Sequence, residues 1–135
     1  MPRDNSFTQP EIPGCPAKIP VGSRPLINIE EAQDLESIFK VLANATRLRL
    51  LHALIQNTEM CVTELAETIE MKPQAVSNQL QRLVHRGILG YRRNGNNIYY
   101  RIVDPCVTSL FDHGLCLSED ATKRLCHVIG KEEDR

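Results

Sequence analysis

A mainly α-helical fold with one small β-hairpin is what this 135-residue sequence predicts. Three observations carry that expectation. Apolar residues recur at helical spacing through most of the chain from Ile29 to Ile129. One stretch breaks the pattern: in ILGYRR-NGNN-IYYRIV, two short Ile-, Tyr- and Val-rich segments flank Asn94-Gly95, a strong hairpin signal. Pro73 and Pro105 both stand where a helix accepts proline, in its first turn. At roughly 150 residues per domain the chain is one domain with room for a tail. An apolar content of 41% and a net charge of -1 rule out a chain disordered throughout.

The elements follow in order. Residues 1–26 hold six of the eight prolines and read as a flexible N-terminal tail. Residues 27–130 form the folded domain, and 131–135 a charged tail. Asn28 caps a first helix, with Glu31 closing a capping-box variant and one face formed by Ile29, Ala32, Leu35, Ile38, Phe39 and Leu42. Asn44 caps a second helix carrying Leu48, Leu51, Ala53, Leu54 and Ile55 and ending near Gln56-Asn57. Thr63 is placed to cap a short third helix with Leu65, Ala66 and Ile69 inward. Glu70-Met71-Lys72 makes a turn, and Pro73 opens a fourth helix that Gly87 ends. After the hairpin, Asp104-Pro105 starts another helix, which Gly114 weakens. Ser118-Glu119-Asp120 then caps a last short one containing Leu125, Val128 and Ile129.

Charge is unevenly spread. From Met71 to Val103 there are six basic residues, Lys72, Arg82, Arg86, Arg92, Arg93 and Arg101, and no Asp or Glu. The remainder holds ten basic and seventeen acidic residues, so a segment of +6 sits inside a remainder of -7. A basic face on an otherwise acidic protein suits a polyanion. The local pattern says which one. A short helix, a tight turn, a second helix with a polar face and a basic hairpin make a winged helix-turn-helix. The polar face carries Gln74, Ser77, Asn78, Gln81, Arg82 and His85. Asn and Gln pair a donor with an acceptor, which suits a base edge in the major groove of double-stranded DNA. Arg92, Arg93 and Asn97 lie at the hairpin, within reach of phosphates or a minor groove. No paired nucleophile and base, Gly-rich phosphate loop or acid/base dyad is present, so nothing points to an enzyme. An interaction module is the competing class, and the acid-free strip argues against it.

The run from about Leu35 to Val103 resembles the ArsR/SmtB family of metal-responsive repressors. The stretches that carry the resemblance are VLANATRLRLLHAL, EMCVTELAETIEMKPQAVSNQLQRLVHRGIL and YRRNGNNIYYRI. It implies a homodimer joined by the first and last helices, a palindromic operator, and an inducer that loosens the dimer from DNA. Many members carry Ser-His-His or similar in the recognition helix, where this chain reads Ser77-Asn78-Gln79.

The five cysteines are the candidate sensors. Several members of the family have Cys-Val-Cys at the start of the third helix, where this chain has Cys61-Val62-Thr63, and Cys15 in the tail can supply a further thiol. Other members use the last long helix, at a stretch that here reads Asp104-Pro105-Cys106. Cys116 follows ten residues later, about 15 Å along one helix and about 80° off the same face. Within one helix the two thiols cannot share an ion. Across an antiparallel pair crossing near Phe111 they can, with Asp104, Asp112, His113 or Asp120 completing two equivalent sites. Such sulfur ligands suit Cd(II), Pb(II), Hg(II), As(III) or Zn(II). Cys126 with His127 is the weakest candidate, and His52, His85 and His113 read as surface residues. The same thiols also support a repressor that senses oxidants or reactive sulfur, since Cys106 sits at a helix start that favours its thiolate. The expected location is the cytoplasm, with reduced thiols: the start of the chain lacks the apolar core of a secretory signal, and no run is long and apolar enough for a membrane span.

Overall fold

The computed structural model describes residues 19–133, with side chains described for residues 19–125. Cys15 and most of the proline-rich segment fall outside that range, as do the side chains of Cys126 and His127. Inside the segment read as a tail, Val21–Ser23 forms one 3-10 turn, and Arg24 donates from Nε to the Ile19 carbonyl at 3.0 Å.

Five helices and three strands follow: α1 (Ile29–Leu42), α2 (Ala45–Asn57), β1 (Glu59–Cys61), α3 (Val62–Ile69), α4 (Pro73–His85), β2 (Leu89–Asn94), β3 (Asn97–Ile102) and α5 (Pro105–Glu133). The helix starts obey the capping chemistry of the sequence. The Asn28 side chain accepts from the Glu31 N–H at 2.8 Å, and Asn44 accepts from the Arg47 N–H at 3.1 Å. Asp104 accepts from the Cys106 N–H at 2.9 Å at the head of α5.

The third helix starts earlier than Thr63 predicts. Strand β1, for which the local pattern gives no signal, runs straight into α3, so Cys61 is the cap and Val62 the first helical residue. Glu64 then reaches back: its Oε1 accepts from the Cys61 thiol at 3.0 Å and the Cys61 N–H at 3.4 Å. Pairing across the fold makes β1 a strand, with Met60 opposite Tyr100 in the antiparallel order β1-β3-β2. The hairpin also turns one residue later than Asn94-Gly95. Asn94 pairs with Asn97, which leaves Gly95-Asn96 as the two-residue loop. Gly95 has φ +65° and Asn96 does not have positive φ, the pattern of a type II′ turn with glycine first.

The last two expected helices are one. α5 runs from Pro105 to Glu133 without a break at Gly114 or Ser118, and it takes in the start of the segment read as a charged tail. Ser118 acts inside the helix, its carbonyl accepting from the Thr122 hydroxyl at 3.0 Å. A single interior glycine costs a helix only about 1 kcal/mol, too little to end one of 29 residues.

The core gathers Leu50, Leu51 and Leu54 of α2, Leu65 of α3, and Val76, Leu80 and Leu83 of α4, with Met60, Leu89 and Tyr100 from the sheet. Each fully buried leucine contributes about 1.5–3 kcal/mol. Leu50 is fully buried although the helical pattern singles out Leu48, which is 37% exposed. α1 buries none of its residues in its own chain, contrary to the buried face expected of it: Leu35, Ile38 and Phe39 are all exposed.

Arg47 ties α1, α2 and α4 together from inside. It is 8% exposed, donates from Nε to the Val41 carbonyl at 2.6 Å, and donates from Nη1 to Gln79 Oε1 at 2.9 Å. A buried guanidinium is tolerable here because protein acceptors replace the water it loses.

Candidate nucleic-acid interface and thiol sites

The helix-turn-helix is built by two terminators. Glu70 adopts the left-handed conformation (φ +56°), and the Met71 N–H then closes α3 on the Ala66 carbonyl at 3.0 Å. Lys72 is extended, and Pro73 opens α4 at a position where its missing N–H costs nothing. The buried stripe of α4 is Val76, Leu80 and Leu83. The opposite stripe follows from the 100° step. Gln74, Asn78, Gln81 and His85 fall within about 60° of one another, with Ser77 and Arg82 on the two flanks. All of these are exposed except Ser77, which is half-buried. Gln74 Nε2 donates to Asn78 Oδ1 at 3.2 Å, which lines up two amides along the helix. The structure thus brings the six α4 candidates onto one outward surface. The third residue of the Ser77-Asn78-Gln79 triplet is not on it. Gln79 faces inward as the acceptor for Arg47, and nothing in the helical pattern alone marks that pairing.

The hairpin separates its two neighbouring arginines. Successive strand residues point to opposite faces. Arg92 lies opposite Tyr99, on the face that also carries Glu59 and Arg101. Arg93 lies opposite Ile98, on the face that carries Tyr91, Tyr100 and the core. Arg92 is engaged within its own chain. It donates from Nε to Glu59 Oε1 at 2.5 Å and from Nη2 to Glu59 Oε2 at 3.0 Å. Its guanidinium also stands 5.1 Å from the centre of the Tyr99 ring. Hydrogen bonding to Arg92 holds the Glu59 carboxyl below the usual carboxylate range and raises the Arg92 guanidinium further. So the acid-free strip of the sequence does not stay acid-free in space, because β1 delivers Glu59 to its edge. Asn97 is exposed at the hairpin loop, opposite Asn94.

The thiols are spread over the other side of the chemistry. Cys61, Cys106 and Cys116 form no disulfide among the described residues. Cys61 is buried at the root of α3, with its thiol on Glu64. Cys106 is half-buried in the first turn of α5, and Cys116 is exposed on the same helix. Cys116 Sγ lies 3.6 Å from Asp120 Oδ2, and the negative charge of Asp120 pushes the thiol pKa up. Between the two α5 thiols, Phe111 stacks on His52 of α2 with ring centres 5.5 Å apart. Among the described residues no three His, Cys, Asp or Glu side chains of one chain are placed to hold a metal ion. No helix of the described residues is long and apolar enough to cross a membrane.

Known proteins share this arrangement. A helix-turn-helix domain family matches residues 42–91, from the end of α1 to the hairpin. A transcriptional repressor SmtB homolog of Synechocystis is 37% identical over 86 residues, which is 64% of this chain and 64% of that relative's own length. The crystal structure of the antimony-specific transcriptional repressor AntR superposes with a TM-score of 0.69 at 57% identity, covering 81% of this chain and 98% of AntR. The homodimeric winged helix-turn-helix domain of a possible ArsR-family regulator from Mycobacterium bovis is 29% identical, with a TM-score of 0.61, covering 72% of this chain and 91% of that one. These relatives are transcriptional regulators by description, and the family match at residues 42–91 takes in α3 and α4. The chain belongs to the ArsR/SmtB family of winged helix-turn-helix transcriptional regulators.

Proposed function

We propose that this chain is a homodimeric repressor, cytoplasmic in location, that holds a palindromic operator and lets go of it when a thiophilic metal or metalloid binds cysteines of α5. The observation that carries the reading is where Cys106 and Cys116 stand: on the helix whose apolar residues the chain leaves uncovered. Leu110, Leu115, Leu117 and Leu125 of α5 are exposed, as are Ile29, Leu35, Ile38 and Phe39 of α1. Apolar surface on this scale marks an interface, and the Mycobacterium bovis relative is a homodimer. With α5 continuous, two copies crossing antiparallel near Phe111 set Cys106 of one beside Cys116 of the other. The ligand set then spans the interface, so binding the ion selects one dimer geometry and one spacing of the two α4 helices.

DNA contact falls to Gln74, Ser77, Asn78, Gln81, Arg82 and His85 of α4, with Arg93 and Asn97 from the hairpin. Arg92, occupied by Glu59, serves the hairpin first. Among ions, the relative that shares 57% identity is antimony-specific, and soft trivalent As(III) or Sb(III) suits a set of few thiolates better than Zn(II). The negative charge of Asp120 raises the Cys116 pKa, and a metal that binds the thiolate releases its proton. Asp104 already caps α5, which leaves it a secondary ligand; Cys61, buried with its thiol on Glu64, and Cys15 are further candidates. Sensing of oxidants is the alternative. Within one α5 the two thiols are about 15 Å apart, far beyond disulfide reach, so a disulfide between Cys106 and Cys116 would have to link two chains.

The experiment is release from a labelled operator duplex, titrated with As(III), Sb(III), Cd(II), Pb(II), Hg(II), Zn(II) and peroxide. The proteins are the parent and its C15S, C61S, C106S and C116S variants. The expected result is release by a soft ion that either α5 substitution abolishes while DNA affinity stays near that of the parent. An unaltered response of both α5 variants to every inducer would overturn the site. Release by peroxide alone, with a cross-linked dimer, would favour the oxidant reading.

A further inference from the structure

A cleft of about 770 Å³ separates the second half of α1 from the outward stripe of α4. Lys40 lines it from α1, and Asn78, Gln81, Arg82, His85 and Arg86 line it from α4 and its C-terminal cap. No Asp or Glu is among its lining residues. Asn78 and Gln81, which face the bases in the reading above, therefore share one concave, cationic space with a helix that the family resemblance assigns to dimerisation.

Groove geometry says what fits there. A major groove is about 12 Å wide, and an α-helix with its side chains is about 10–12 Å across. A helix seated in the groove fills it from side to side, so a phosphate strand runs along each of its flanks. α1 stands along one flank of α4. We propose that the α1–α4 cleft seats phosphates of the duplex backbone bordering the groove that α4 reads, with Lys40, Arg82 and Arg86 as their cationic ligands, so that the DNA footprint extends onto α1. This rests on the DNA-binding reading of α4.

The cations of the cleft differ in how free they are to take part. Arg47, also in its wall, is spent on the Val41 carbonyl and Gln79 and serves as scaffold. Arg82 and Arg86 are exposed. Lys40 holds Glu36 one turn back at 2.6 Å, with both side chains more than half exposed. Exposed i,i+4 pairs of this kind are weak and readily exchanged, and a phosphate with its neighbours' charge behind it is the stronger partner. Lys40 thus swaps Glu36 for DNA on docking.

The test uses the full chain and two labelled duplexes, one selected for tight binding from a random-sequence pool and one unselected. Affinity is measured by fluorescence anisotropy between about 50 and 200 mM salt, and the mass by sedimentation. In Lys40→Gln and in Arg86→Gln the slope of log affinity against log salt should shrink by about 0.9 for each phosphate no longer neutralised. The effect should be equal on both duplexes, because phosphates carry no sequence. Lys123→Gln on α5 should leave the slope alone, and Glu36→Gln, which frees Lys40, should raise affinity. An unchanged slope in a Lys40→Gln/Arg86→Gln double variant, with the parent binding normally, would overturn the proposal and leave α4 reading DNA. A variant that loses affinity only by falling apart into monomers would also overturn it, since the cleft would then be a protein interface. A parent that binds neither duplex would sink the underlying DNA-binding reading as well.

Discussion

Arg92 and Arg93 are adjacent in sequence and should behave differently on DNA. The register places Arg92 opposite Tyr99 and Arg93 opposite Ile98, on opposite faces of the hairpin. Both oxygens of Glu59 are already on Arg92, and the Tyr99 ring stands beside its guanidinium. Arg93 has no such engagement among the described ion pairs and side-chain hydrogen bonds. Arg93→Gln should therefore remove one phosphate partner and shrink the salt slope by about 0.9. Over a fourfold change in salt that slope difference is about 3.5-fold in affinity: the parent should weaken by about that much more than the variant between about 50 and 200 mM. Arg92→Gln should change the slope little, and Glu59→Gln, by freeing Arg92, should steepen it. Filter binding or anisotropy across the salt range reads all three. Equal slope changes in the two arginine variants would refute the reasoning, because engagement by Glu59 would then not govern which arginine meets DNA. The pH dependence has a definite sign. The Glu59 carboxyl is held low by Arg92, so the pairing is complete at the ordinary carboxylate pKa of about 4.3 and is lost only as pH falls through the lowered value. The contrast between the arginines should thus hold across neutral pH and narrow only in acid.

Three further outcomes are expected. Leu50→Ala, at a fully buried position, should cost about 2–5 kcal/mol in chemical denaturation, whereas Leu48→Ala, at a position 37% exposed, should cost clearly less. Gly114→Ala should stabilise α5 by about 0.5–1 kcal/mol, because a Cβ there meets nothing within 4 Å of its own chain; a lower urea midpoint would mean that a second chain occupies that space. Asp120→Asn should lower the Cys116 pKa, since Asp120 is the main cause of its elevation. Alkylation rates against pH should show the midpoint of Cys116 moving down, and an unmoved midpoint would show that Asp120 is not what holds its proton.

Much of the fold was legible because it depends on neighbours in sequence. Asn28, Asn44 and Asp104 cap helices within three residues of themselves, and Pro73 and Pro105 open helices by the fixed shape of their own rings. The outward stripe of α4 follows from the helical step alone, so Asn78 and Gln81 could be picked out with no partner in view. The readings that missed were those a distant partner settles. β1 exists because Met60 finds Tyr100 forty residues away, and its run into α3 moves the cap from Thr63 to Cys61. The division at Gly114 and Ser118 failed for a different, local reason, since a weakness of about 1 kcal/mol does not end a long helix.

By itself the sequence determined a winged helix-turn-helix with a polar recognition face, because helical periodicity, capping and a short turn are all encoded within a few residues of where they act. Only the tertiary structure decided which charges are available. It sends Glu59 across the sheet to Arg92, turns Gln79 inward to Arg47, and stands Lys40 of α1 beside the recognition helix. Electrostatics acts through space, over distances of a few ångströms that join residues about thirty to forty positions apart, and spacing along the chain carries no trace of it.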